Sequence, residues 1–157
     1  MKKSKQALSY LNKLLVINYE TERVFLSVLD QAENPLLKNF LRVAGYERNQ
    51  FIKSLDSSIR QKGITPTYPE DSLKTDVKLS SGLRKKISSN DNQSALNEIG
   101  KIQIKDIEKY KKILNNTDFP DDLEKSLSKQ LDTIVNSLYS IEVHKDLLSR
   151  NPNTISI

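Results

Sequence analysis

The chain has 157 residues with no cysteine and no tryptophan, 29% charged residues and a formal net charge of +5, which suits one domain able to bury a core without disulfide staples. Disulfides, thiolate nucleophiles and Cys-ligated zinc are excluded, in keeping with a reducing, cytoplasmic setting. Four glycines and no GxGxxG or GxxxxGK[ST] run argue against phosphate-cradling loops.

The charge is evenly spread. Residues 1–78 carry thirteen basic against nine acidic side chains, and residues 79–157 carry twelve against eleven. Basic and acidic residues alternate, as in KDIEKYKK at 105–112, which reads as a solvated helical surface and disfavours a nucleic-acid partner. The amino-terminal MKKSKQALSYLNK has no apolar run of signal-peptide length because Lys13 interrupts it. The longest uncharged apolar stretches reach only about half a membrane span, so no membrane association is expected.

Taken in chain order, residues 5–32 keep an apolar stripe of Leu8, Leu11, Leu15, Phe25 and Leu29 without Gly or Pro, which predicts a long first helix. ENP at 33–35 ends it. Pro35 suits the first turn of a second helix over 36–62, with a stripe of Leu37, Phe40, Ala44, Glu47, Phe51, Leu55 and Ile59 and a stop at Gly63. So short a turn requires the two helices to pack antiparallel. GITPTYPEDSLKTDVKL at 63–79 carries two prolines and no sustained period, and is expected to be an extended crossover running the length of a bundle.

SSGLRKKISS predicts a short helix at about 80–89. Asn90 or Asp91 then caps a helix over 91–115, striped by Leu96, Ile99, Gln103, Asp106, Tyr110 and Ile113. NNTDFPDD turns the chain into a last helix over 120–150, with Asp118 as the expected N-cap and Asp121, Asp122 and Glu124 complementing the helix dipole. RNPNTISI is expected to be a loose tail. No stretch alternates as strands do. The expected fold is all-α, an up-down-down-up four-helix bundle with a long crossover between helices two and three. Leu15, Phe25, Phe40, Phe51, Tyr110, Ile134 and Leu138 are expected to share one core.

Each long helix places polar residues on its apolar stripe: Asn18 and Glu22, then Glu47, then Gln103 and Asp106, then Gln130 and Ser137. Counted from the turn at 33–34, Glu22 and Glu47 differ in height by only ~3 Å at the helical rise. Gln103 and Gln130 match in the same way about the turn near 117. A buried carboxylate needs a partner, because a lone charge in an apolar core costs several kcal/mol. The leading reading is a hydrogen-bonded network of Glu22, Glu47, Gln103 and Gln130 that fixes helix register, with Arg23, Arg48 or a tyrosine hydroxyl reaching in. The alternatives are a metal site, with Glu22 and Glu47 as ligands and Gln50 and Gln103 as accessories, and a third arrangement in which one or more of these positions face solvent.

LNKLLVINYETERVFLSVLD, LKNFLRVAGYERNQFIKSL, the Leu96–Gln103–Tyr110 spacing and Gln130 together resemble a bacterial ferritin-like family catalogued as a domain of unknown function. The resemblance covers about residues 8–150. It implies Glu at the positions of Glu22 and Gln103, so this chain departs at Gln103 and lacks one carboxylate. Ferritin-like di-iron sites also take two Glu-x-x-His pairs, whereas here Glu47 is followed at i+3 by Gln50 and Glu142 by Lys145. His144, the only histidine, lies about 200° around the helix from Glu142 and cannot share an ion with it. It is expected to favour the helix dipole or fill the bundle end. The tyrosines at 10, 19, 46, 110 and 139 are expected to pack at the core edge.

No complete catalytic motif is present and no cofactor is expected, iron belonging to the metal-binding alternative alone. The reading leans away from an enzyme. It favours a ferritin-like bundle with a degenerate metal site that works by association, as a homo-oligomer or with another protein; metal storage, oxidation or stress response goes with the alternative.

Overall fold

The computed structural model describes residues 2–70 and 73–150, with side chains from residue 6 onward apart from 71–79. Among the described residues the chain is all-α, with five helices and no strand: α1 Lys2–Leu29, α2 Pro35–Gln61, α3 Leu73–Ser88, α4 Asn92–Asn116 and α5 Asp121–Arg150. None is long and apolar enough to cross a membrane. The loose tail expected at RNPNTISI lies outside the described residues beyond Arg150.

The helix ends follow local chemistry. The Asn34 side chain accepts from the N–H groups of Leu36 and Leu37 at 2.9 and 3.2 Å, and Pro35 opens α2 where a missing N–H costs nothing. Gly63 stops it at φ +79°, in the left-handed region that a residue without Cβ enters freely. Asp91 rather than Asn90 caps α4, accepting from Ser94 N–H at 3.1 Å. α5 begins at Asp121 with Glu124 N–H donating to Pro120 O, so its acidic first turn stands where the helix dipole favours it.

The expected crossover is corrected. α3 starts at Leu73, seven residues ahead of the expected short helix, so the extended linker is confined to the stretch before it. That linker is tied at both sides. Asn12 Nδ2 donates to Thr67 O at 2.9 Å while Thr67 N–H donates to Asn12 Oδ1 at 2.8 Å. Tyr68 donates its hydroxyl to Asp56 and packs edge-on against Tyr19, ring centroids 5.4 Å apart. The phenol is pushed up to about 12, by burial first and by the Asp56 hydrogen bond next.

The apolar core is also divided. One cluster joins the end of α1 (Val24, Phe25, Val28), the start of α2 (Phe40, Leu41), Leu83 and Ile87 of α3, the start of α4 (Leu96, Ile99) and the end of α5 (Ile141, Leu148). The other joins the start of α1 (Leu11, Leu14, Leu15) to the end of α2 (Ile52, Leu55, Ile59), the end of α4 (Tyr110, Ile113) and the start of α5 (Leu127, Ile134). Of the residues expected to share one core, Phe25 and Phe40 fall in the first cluster and Leu15, Tyr110 and Ile134 in the second. Phe51 is only partly buried against the second, and Leu138 touches both. A polar layer separates them because that is where the stripes carry Asn18, Arg48 and Gln103.

Gly100 is buried in α4, and a Cβ there would meet Ile141 and Leu138 methyls at 3.7 and 3.8 Å, ordinary contact distances. Gly100→Ala should therefore stabilise the protein by about 0.5–1 kcal/mol through helix propensity. A denaturant melt showing a lower midpoint would contradict this.

Candidate functional site

Between the two clusters three helices, α1, α2 and α4, converge on one guanidinium, and α5 joins through their partners. Arg48 of α2 is 1% exposed. Its Nη1 donates to Asn18 Oδ1 of α1 at 2.9 Å and to Asp106 Oδ2 of α4 at 2.8 Å, and its Nη2 donates to Gln103 Oε1. The Arg48–Asp106 ion pair is desolvated on both sides, a setting in which charge-assisted hydrogen bonds are short and strong.

The network extends outward from these partners. Thr21 Oγ1 donates to Asp106 Oδ2 at 2.6 Å. Asn18 Nδ2 donates both to Leu14 O, one turn back, and to the Tyr110 hydroxyl at 2.7 Å, which in turn donates to Gln130 Oε1 of α5 at 2.7 Å. Gln103 Nε2 completes the span by donating to Ser137 Oγ of α5 at 2.8 Å. Burial pushes the Tyr110 phenol upward, against a smaller opposite pull from the Asn18 hydrogen bond, so the ring stays protonated and can serve as both donor and acceptor. Among the described residues, the only buried side-chain polar atom without a partner is Thr117 Oγ1, outside this layer.

The sequence-predicted residues divide around this layer. Gln103 and Gln130 are buried in it. Glu22 and Glu47 are half-buried, and Gln50 is exposed. The carboxylate that Arg48 engages is Asp106. Thr21, one residue and about 100° around α1 from Glu22, supplies the inward hydroxyl. Glu22 is held above the usual carboxylate range by partial desolvation, against a hydrogen bond to Asn49 and the charges of Arg23 and Lys53. Glu47 is raised by the same cause against Arg48.

Raised carboxylates bind their proton more tightly in the folded state, so their contribution to stability falls as pH rises through the folded pKa. Glu22→Gln should therefore leave Tm unchanged or slightly higher at pH 7, with the gain fading at pH 4. A Tm loss at pH 7 that disappears in acid would contradict this.

Tyr110 is corrected from core edge to network centre, while Tyr46 and Tyr139 are 64% and 68% exposed. His144 packs edge-on against Phe40 with centroids 5.2 Å apart, and its Nδ1 lies 2.7 Å from Ser140 O. Glu142 pairs with Lys145 at 3.6 Å on the surface.

The donor set does not suit iron. A di-iron centre needs several converging anionic or imidazole ligands. The expected match of Gln103 with Gln130 is corrected, since Gln103 pairs with Ser137 and Gln130 with Tyr110, seven residues further along each helix. The centre of the layer is filled by a fixed cation that already holds Asp106, and the other donors are amide oxygens and hydroxyls. Among the described residues no three of His, Cys, Asp and Glu are grouped so that they could hold a metal ion.

The family model described as Domain of unknown function (DUF2383) matches residues 6–116. The chain belongs to this family. The DUF2383 match takes in α1 to α4 and six members of the polar layer, Asn18, Thr21, Arg48, Gln103, Asp106 and Tyr110, and ends before Gln130 and Ser137 of α5. No curated protein and no solved structure matches the chain.

Proposed function

We propose that this DUF2383 protein is a non-enzymatic bundle of the ferritin-like, up-down-down-up kind, whose metal-site level is taken by a structural network and which works in the cytoplasm by association with a second copy or another protein. The observation that carries the reading is the Arg48 guanidinium, bonded to Asn18, Gln103 and Asp106 in the layer between the clusters. A guanidinium stays protonated at every physiological pH, so it occupies that level permanently and opposes entry of a divalent cation. The topology is supported by the two clusters, which put the starts of α2 and α4 at one end and the starts of α1 and α5 at the other.

Association is supported by Tyr139, Val143 and Leu147, which stand exposed at four-residue steps along α5 as one outward apolar stripe, and contiguous apolar surface is where interaction sites are found. Elemental analysis of protein purified without chelators should give far less than one equivalent of iron, manganese or zinc, with Tm indifferent to EDTA. Light scattering should give a dimer or larger species that Tyr139→Glu with Val143→Glu reduces to monomer. Stoichiometric metal, lost together with Tm in Glu22→Gln, would overturn the network reading. A monomer with no partner in either form would overturn association.

A further inference from the structure

The polar layer has one side open to a groove. Between α1 and α4 runs a groove of about 930 Å³ whose floor includes Thr21 and Asp106. Its wall is apolar, with Val16 and Ile17 on α1 facing Ile102 and Ile113 on α4. Leu83 of α3 lines it near Val24, and Thr67, strapped to Asn12, lines it near the start of α1. From Asn12 to Val24 the helical rise gives a length of about 18 Å.

The rim is basic. Lys13, Lys101, Lys105, Lys109 and Lys112 line it against Glu20 and Glu98. Lys101 and Glu98 neutralise each other at 3.2 Å, and the floor carboxylate Asp106 is held by Arg48. Lys105, Lys109 and Lys112, on one side of α4 at steps of four and three residues, make no ion pair among the described residues and leave the groove a net positive edge.

We propose that this groove binds a single-chain amphiphilic carboxylate, with the chain along Val16, Ile17, Ile102 and Ile113 and the head group on the Lys105–Lys109–Lys112 row. A concave site of this volume with a mostly apolar exposed lining is the usual form of a small-molecule site, and here the unpaired charges stand along its rim. The boundaries at Leu83 and Thr67 fit a ligand of finite length better than a peptide helix passing through. Asp106 does not repel the ligand because its charge is already matched by Arg48. The inference goes beyond the network and association readings and depends on neither.

The test is calorimetric titration of the full chain with dodecanoate below its micelle concentration. Dodecyltrimethylammonium serves as the chain-matched cation, and an acidic amphipathic peptide as the macromolecular competitor. The expected result is one site, at least tenfold tighter for dodecanoate than for the cation. Lys105→Glu, Lys109→Glu and Lys112→Glu combined should weaken it at least tenfold with an unchanged circular dichroism spectrum, and the corresponding three Gln substitutions should weaken it less. Absence of dodecanoate binding, equal binding of the cation, indifference to both lysine sets, or binding of the acidic peptide in place of dodecanoate would each overturn the proposal.

Discussion

Arg48→Met is expected to destabilise the protein by about 3–5 kcal/mol, the usual cost of leaving one partner of a buried pair without the other. Asp106, 4% exposed, would keep only the Thr21 hydroxyl, and the acceptor oxygens of Asn18 and Gln103 would lose their donor. For a chain of this length that loss corresponds to a fall in Tm on the order of 10 °C. Adding Asp106→Leu should recover part of it, because the stranded carboxylate is then gone, while Asn18 and Gln103 still lack the guanidinium. Urea unfolding of the two single variants and the double measures the coupling. A loss under about 1 kcal/mol in Arg48→Met would mean that the network contributes little.

Phe25→Ala is expected to cost about 3–5 kcal/mol by a different route, the transfer and cavity terms of deleting a core aromatic ring. Phe25 is fully buried in the cluster formed by the end of α1 and the starts of α2 and α4. Its Cβ lies beside Gly45 on α2, so the helices are already in close approach there and the backbone has little freedom to collapse into the void. With total stabilities of 5–15 kcal/mol usual for domains, this variant should be largely unfolded at 45 °C by circular dichroism. A Tm within 3 °C of the parent would show that the site collapses.

What could be read from the sequence was local. Asn34, Pro35, Gly63 and Asp91 act within one helical turn, so their roles follow from residue type and spacing. α3 was partly hidden, since the prolines at 66 and 69 mask the apolar steps Leu73, Val77 and Leu83 that follow. The inward polar residue of α1 was displaced by one position: α1 packs against α2, α3 and α4, so its buried face is too broad for a single stripe to separate Thr21 from Glu22. Asn18, Gln103, Asp106 and Gln130 interrupt apolar stripes and were legible as a polar layer. Arg48 was legible only as one of several basic residues that could reach in, because the burial of an arginine is decided by acceptors on other helices, here 30 to 58 residues away along the chain.

The way the helices are paired bears on the order of assembly. The broadest interfaces join neighbours in sequence, α1 with α2 and α4 with α5, while Arg48 of α2 and Asn18 and Thr21 of α1 reach across to α4. Local hairpins close at low loop entropy and form early, whereas bonds between them wait for docking. The guanidinium layer should then be weakly formed in the folding transition state, and its loss should appear in the unfolding arm of the chevron. Arg48→Met would shorten the lifetime of the assembled protein while leaving the refolding rate nearly unchanged.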